Sequence, residues 1–428
     1  MEQKKQLYPL KFVPVAARKL WGGVDLAKRL GKTYVENDED DNEIPVAVDE
    51  ILGESWELAD MGFIESVVSE GWLAGNEFDE VIETYLERIV GENNYQWYGR
   101  QFPLLVKILD IKDKISVQVH PDDEIAEQRY DMLGRKALWY IMDVKPGAKI
   151  YLGLKQEISA QELYDRCLNG TITEVMNVIE PQKGDAFIMK PGMLYSAEGG
   201  LLVTEIVESS DLSFRVYDWN RNSEDRELFL EEAFDFIDLV PADLSTCWIK
   251  GPAWEHESFH DEDGKLINIE DKIVLNLATE PEFTVNRLKL TDPLHIYSDK
   301  FGSFIIYFCA EGSAAIQVQP QDPKDHIDIY NIKRGETILI PADMKDFFLV
   351  PTDSHTILLE AMVEKRDEKD EYIDPNTEPF LEGEDYGGLE DGDFDECDCH
   401  DDDCGCHDHG DGCDCGCHDD CDHDGRLS

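Results

Sequence analysis

Between residues 104 and 362 the chain is punctuated by short apolar runs, each four to eight residues long and closed by turn-forming residues. They fall at residues 104–111, 115–119, 138–144, 186–189 and 201–207, and again at 283–290, 303–308, 314–318, 337–340 and 356–362. Runs of this length at this spacing predict strands of a barrel or sandwich, because a βαβ sheet would need a helical pattern between each pair. One turn is used twice. Gly184-Asp185 precedes the run at 186–189 and Pro191 follows it, while Gly335-Glu336 precedes 337–340 and Pro341 follows. A duplicated β-barrel is the expectation. Three helical patterns interrupt it. Val81, Tyr85 and Ile89, with Ile82 and Leu86 alongside, make an amphipathic stripe over 78–90. Ser159 and Glu162 form a capping box that opens a helix toward Gly170. The third pattern runs over 227–239, with Phe229, Ala233, Phe236 and, just beyond it, Val240 on one stripe. The expected architecture is mainly β: a barrel domain with helical insertions over 1–245, a second barrel over 246–363, and an acidic linker and tail over 364–428.

Charge narrows the possible partners. There are 94 acidic residues against 39 basic ones, for a formal charge of −55. Such a surface repels nucleic acid and anionic membranes, so neither is expected as a partner. The load is uneven, since residues 370–428 hold 23 acids and the single base Arg426. Cysteine is skewed the same way, with eight of eleven between Cys397 and Cys421. The remaining three, Cys167, Cys247 and Cys309, are too few and scattered for a disulfide framework. With no apolar leader-like run in residues 1–10 and no span-length apolar stretch, a cytoplasmic location is expected.

The chemistry concentrates in Ser116-Val117-Gln118-Val119-His120-Pro121-Asp122-Asp123. On a strand, Gln118 and His120 share a face and offer a carbonyl oxygen and an imidazole nitrogen to a divalent metal. An isolated pair is more often a satisfied core histidine, but its setting is specific. Trp21-Gly22-Gly23, Gly53-Glu54-Ser55-Trp56-Glu57, Phe102-Pro103-Leu104-Leu105-Val106-Lys107, the Gln118/His120 run, Trp139-Tyr140-Ile141 and Phe214-Arg215-Val216-Tyr217-Asp218 occur in order. This succession, across residues 8–362, resembles the bacterial short form of the type I phosphomannose isomerases. The resemblance implies two cupin barrels, a zinc ion in the first, and aldose–ketose isomerisation of mannose 6-phosphate and fructose 6-phosphate, with a hexose phosphate as small-molecule partner.

Carried over residue by residue, the resemblance makes Gln118 and His120 metal ligands, Arg215 a catalytic group and Lys107 a contact to phosphate or sugar oxygen. Two ligand positions are substituted. The family's Gly-Lys-x-Glu-x-Trp-Tyr run reads Gly134-Arg135-Lys136-Ala137-Leu138-Trp139-Tyr140, so Ala137 stands where a carboxylate is expected. The family's second histidine follows a Pro-x-Gly-x-Leu turn, and here Tyr195 takes its place. Glu205 and Glu208 are the candidate replacement ligands. The expected zinc site is therefore degenerate. A non-catalytic sugar-phosphate-binding or regulatory protein is the competing reading, and a metal-handling protein acting through its tail is the third. No histidine follows Pro341, so the second barrel is expected to be structural.

In the tail, Cys397-Asp398-Cys399-His400, Cys404-Gly405-Cys406-His407 and Cys413-Asp414-Cys415-Gly416-Cys417-His418 repeat a Cys-x-Cys-His unit, with Cys421 following. Eight thiols and five imidazoles allow about three tetrahedral sites. The pattern is similar to metallothionein sequences, and zinc, copper or nickel would suit its ligands. Purified full-length protein is expected to carry more metal than a variant lacking residues 391–428. Equal metal content by elemental analysis would remove this reading.

Overall fold

The computed structural model describes residues 6–38, 42–221, 226–251, 258–260, 266–268, 273–319 and 326–364. The Cys/His-rich tail lies outside them. The described residues belong to one compact unit. Within it, two antiparallel barrels account for nearly every strand, the double-cupin architecture implied by the resemblance.

The first barrel is built from two sheets. Its seven-stranded sheet runs Val15–Ala17, Glu54–Leu58, Leu104–Ile111, Leu201–Glu208, Ala137–Val144, Ala186–Met189 and Trp248–Ile249. The facing five-stranded sheet runs Phe214–Tyr217, Val117–Val119, Tyr195–Glu198, Lys149–Leu154 and Met176–Ile179. Alternation sorts the side chains. Val117 and Val119 point outward, where Leu163 and Cys167 of the helix Ala160–Asn169 cover them. Gln118, between them, points inward. That helix starts as the capping box predicts, with the Glu162 N–H donating to the Ser159 hydroxyl.

The second barrel pairs Val274–Thr279, Thr284–Leu290, Thr356–Met362, Ile305–Glu311 and Thr337–Ile340 in one sheet. Leu294–Tyr297, Asp346–Pro351, Ser313–Val318 and Asp328–Lys333 form the other. On Ile305–Glu311, Ile305, Tyr307 and Cys309 fill this barrel, while Ile306, Phe308 and Ala310 join a cluster shared with the first. Val106, Ile108, Ile206, Phe283 and Phe304 belong to the same shared cluster. At the seam Phe102 and Phe304 pack at 4.5 Å and are fully buried. Each contributes about 1.5–3 kcal/mol by leaving water. Leu10, near the start of the chain, exchanges backbone hydrogen bonds with Leu339 of the second barrel. The centre of the seam is therefore apolar, with ion pairs such as Lys136 to Glu282 crossing at its margin.

Two helices differ from expectation. The stripe over 78–90 is broken at Leu86, whose φ of 50° separates Phe78–Tyr85 from Glu87–Val90. The break turns Ile89 and Val90 into the seam, where their carbonyls accept from Ala342 and Phe304. The third pattern yields only Leu230–Ala233. Phe229 and Phe236 both pack on Phe214 of the five-stranded sheet, and the Phe229 N–H donates to the Arg215 carbonyl. Edge-to-face aromatic packing against the sheet takes precedence over helical continuity there. Among the described residues no helix is long and apolar enough to cross a membrane, and Cys167, Cys247 and Cys309 are free and buried.

Candidate functional site

Strand register aligns one row of side chains along the inner face of the seven-stranded sheet. Trp56 pairs with Lys107, Lys107 with Glu205, Glu205 with Trp139, and Trp139 with Phe187. Cross-strand neighbours lie within contact distance, so a cation and a carboxylate sit side by side with aromatic rings on either flank. The Lys107 ammonium sits 3.7 Å from the centre of the Trp56 ring, a cation–π contact. The Trp139 indole N–H donates to Glu205 at 2.9 Å. Facing this row from the other sheet are Gln118, its pair Tyr195 and its pair Arg215.

His120 lies one residue beyond the strand Val117–Val119, with 2% of its surface exposed. Its neighbours fix its direction. The Gly192 N–H donates to the His120 carbonyl at 2.9 Å, and Gly192 has a φ of 78°, a conformation that suits a residue without a Cβ. Asp122 caps the helix Asp123–Tyr130 by accepting from the Ile125 N–H, and the Asp123 carboxylate accepts from the Gly134 N–H. The two acids of the motif are thus structural, holding the 134–137 segment against His120.

Both imidazole nitrogens are engaged. Nδ1 lies 3.2 Å from the Arg135 carbonyl, and Nε2 lies 2.6 Å from the Tyr195 hydroxyl. A carbonyl can only accept, so Nδ1 carries the proton and Nε2 accepts from the phenol. Burial, reinforced by the Arg135 charge, holds the His120 pKa well below 6.5, which keeps this neutral tautomer. Burial also raises the Tyr195 pKa far above its ordinary value, so the phenol keeps its proton. Below pH 6.5 an unfolded chain would take up a proton that the fold refuses, so acidification is expected to destabilise the barrel.

Arg135, two residues before Ala137, supplies the positive charge of the lumen. Its buried guanidinium donates to the Ser210 carbonyl at 2.7 Å and to Asp211 at 3.1 Å, and lies 3.4 Å from Glu205. Burial opposes its charge, but Glu205 and Asp211 outweigh burial and hold it protonated. Asp211 also accepts from Lys107 at 3.2 Å. Although burial works against the Asp211 charge, Lys107 and Arg135 lower its pKa to about 2. The motif around Ala137 displays Arg135 openly, but only the lumen's geometry reveals the role of its side chain.

The remaining predicted residues are placed as follows. Ala137 is fully buried and pairs with Val207 and Met189, on the same face as Trp139. Gln118 accepts from the Ser213 hydroxyl. Glu205 faces the lumen, held by Trp139 and Arg135. Glu208, three residues on, points to the opposite face, where its carboxylate accepts from the Lys136 N–H at 2.6 Å. Burial, with Asp123 and Glu282 nearby, raises its pKa well above the ordinary carboxylate range. Arg215 donates to the Glu227 carbonyl rather than pairing with Asp218, whose carboxylate is taken by Arg221 and Arg226 at 2.7 and 2.5 Å.

This donor set does not fit a zinc ion. Catalytic zinc needs three protein ligands and an open position. Here His120 Nε2 is capped, Gln118 is engaged, Ala137 donates nothing and Glu205 is neutralised by a guanidinium. Among the described residues no three His, Cys, Asp or Glu side chains converge as a metal-binding group.

The family model for the phosphomannose isomerase type I catalytic domain matches residues 10–143. The probable mannose-6-phosphate isomerase GmuF of Bacillus subtilis is 34% identical over 240 residues, which is 55% of this chain and 70% of that protein. Mannose-6-phosphate isomerase ManA of the same organism is 28% identical over 347 residues, covering 80% of this chain and 95% of that protein. In structure, the chain is similar to a mannose 6-phosphate isomerase from Bacillus subtilis, with a TM-score of 0.65 and 24% identity, over 83% of this chain and 99% of that one. A variant of phosphomannose isomerase from Salmonella typhimurium superposes with a TM-score of 0.62 at 13% identity, over 84% of this chain and all of that one.

Removal of the guanidinium alone leaves a buried carboxylate uncompensated. Arg135→Met is expected to cost about 3–5 kcal/mol in denaturant unfolding. Arg135→Met/Glu205→Gln together is expected to cost less than Arg135→Met alone. Additive losses in the two single variants and the double would show that the pair is not coupled.

Proposed function

Because this chain belongs to the mannose-6-phosphate isomerase family, we propose that its first barrel binds a hexose phosphate of the mannose 6-phosphate and fructose 6-phosphate type, without using zinc to isomerise it. The hydrogen bond from the Tyr195 phenol to His120 Nε2, at 2.6 Å, carries this reading. It satisfies the lone pair that a metal would require, in a buried setting where an imidazole that neither bonds nor ligates is costly.

The chemistry that a metal supplies in an aldose–ketose isomerase is stabilisation of charge on an enediolate oxygen. In this lumen the nearest positive charges belong to Arg135 and Lys107, and both are already matched by Glu205 and Asp211. Little field remains for a developing oxyanion. Recognition is better supported than turnover. Arg215 sits at the end of the five-stranded sheet, opposite Gln118, where burial, with Arg226 and Arg221 nearby, lowers its pKa. Among the described residues, Arg221 and Arg226 pair with the Asp218 carboxylate and Arg215 does not, so its guanidinium is the group offered to a phosphate. Gln118, Ser213 and Asp211 are the polar groups beside which the sugar would lie.

A coupled assay for fructose 6-phosphate formed from mannose 6-phosphate is expected to show no robust turnover with zinc added, while calorimetry detects mannose 6-phosphate binding that Arg215→Ala weakens. Ala137→Glu with Tyr195→His is expected to raise zinc occupancy of the barrel in protein lacking residues 391–428. Robust zinc-dependent turnover by the unaltered chain would refute the proposal. Unchanged zinc occupancy in the double variant would refute the ligand assignment.

A further inference from the structure

A cavity of about 230 Å³ lies away from the lumen, at the seam between the barrels. Its walls come from Lys11 and Phe12, from residues 30–33, from Glu57 and Ser69, and from the turn at 333–337 in the second barrel. The strand Glu54–Leu58 separates it from the lumen. Trp56 and Glu54 bond to each other on the lumen side, while Ser55 donates to Glu57 on the other.

The composition of this cavity is unusual for such a chain. In a protein of net charge −55, its lining gathers four cations, Lys11, Lys32, Lys333 and Arg334, against Glu57 and Glu336, with Asp143 beside Arg334. The cations keep donor capacity. Lys32 donates to Glu57 at 2.7 Å, and an ammonium has three donors. Lys11 reaches Glu336 and the Asn331 carbonyl, both at 3.1 Å. Lys333 is 65% exposed and stands 3.8 Å from Glu336, too far for a strong hydrogen bond. Thr337 also lines the cavity, and its buried hydroxyl has no hydrogen-bond partner among the described residues. A buried polar group left unmatched is costly, and such groups often mark a missing water, ion or ligand.

The geometry points to a second ligand site in this cavity, binding a phosphate dianion, either free or as the head group of a small metabolite. Bulk liquid allots about 30 Å³ to each water, so the space holds a phosphate with a small body attached. Acidic surroundings repel anions in general, so the local excess of cations is what selects one here. Arg334 also donates to the Met142 carbonyl and lies 3.5 Å from Asp143, both in the first barrel. Occupancy would therefore brace the second barrel against the first.

The test is calorimetric titration of the full chain at low ionic strength with inorganic phosphate and, separately, with fructose 6-phosphate. Saturable inorganic phosphate binding is expected with a component weakened at least tenfold by Lys11→Gln/Lys333→Ala and by the exposed charge reversal Lys333→Glu; any component lost in Arg215→Ala belongs to the lumen and leaves the Lys333-dependent one in place. Tighter binding of fructose 6-phosphate that depends on Lys333 identifies a metabolite head group. Equal or weaker binding there identifies free phosphate. The absence of saturable phosphate binding would overturn the site, as would loss of that binding in Arg215→Ala with Lys333→Glu unaffected. Failure of the lumen reading is separate, since it appears as mannose 6-phosphate affinity indifferent to Arg215.

Discussion

A single phenol-to-imidazole hydrogen bond organises the first barrel. Tyr195 donates to His120 Nε2 at 2.6 Å, and the opposite nitrogen of the same ring donates to the Arg135 carbonyl. The imidazole is thereby fixed as a neutral tautomer with no lone pair to spare. Arg135 contributes twice, since its carbonyl orients His120 while its guanidinium occupies the lumen beside Glu205 and Asp211. The substitutions at residues 137 and 195 belong together on this view. Loss of a carboxylate and an imidazole would leave the remaining donors unmatched, and a phenol and a guanidinium match them.

The energetic consequence is a closed electrostatic system. Lys107 and Arg135 face Asp211 and Glu205, and all but Asp211 are buried. Buried ion pairs gain little net stability over apolar packing, but breaking one is expensive. The lumen is thus committed to its present arrangement, and among the described residues Arg215, which does not pair with Asp218, is the guanidinium left at its edge. On the proposed reading, hexose-phosphate recognition persists in this chain without the family's metal chemistry.

Much of the fold was legible because strands with one fully apolar face read as short apolar runs. Leu104–Ile111 and Thr337–Ile340 have the predicted bounds. Strands that carry the site were harder to read, and for a physical reason. Glu54–Leu58 places Glu54 and Trp56 toward the lumen, so charge interrupts the pattern that would betray a strand. Tyr195–Glu198 and Asp328–Lys333 were hidden in the same way. At the site, the motif exposed Gln118, His120, Ala137 and Tyr195. It could not expose the Tyr195–His120 bond or the reach of Arg135, because both depend on two sheets closing face to face. Glu205 and Glu208 looked equivalent in sequence, yet an odd separation along one strand turns them to opposite faces.

The most direct measurement is nitrogen-15 NMR of the His120 ring during zinc titration of the chain without residues 391–428. The account predicts a neutral imidazole protonated at Nδ1, with an Nε2 resonance that does not move as zinc is added. A zinc-dependent shift of Nε2, or a ring that takes up a proton near pH 6.5, would contradict it.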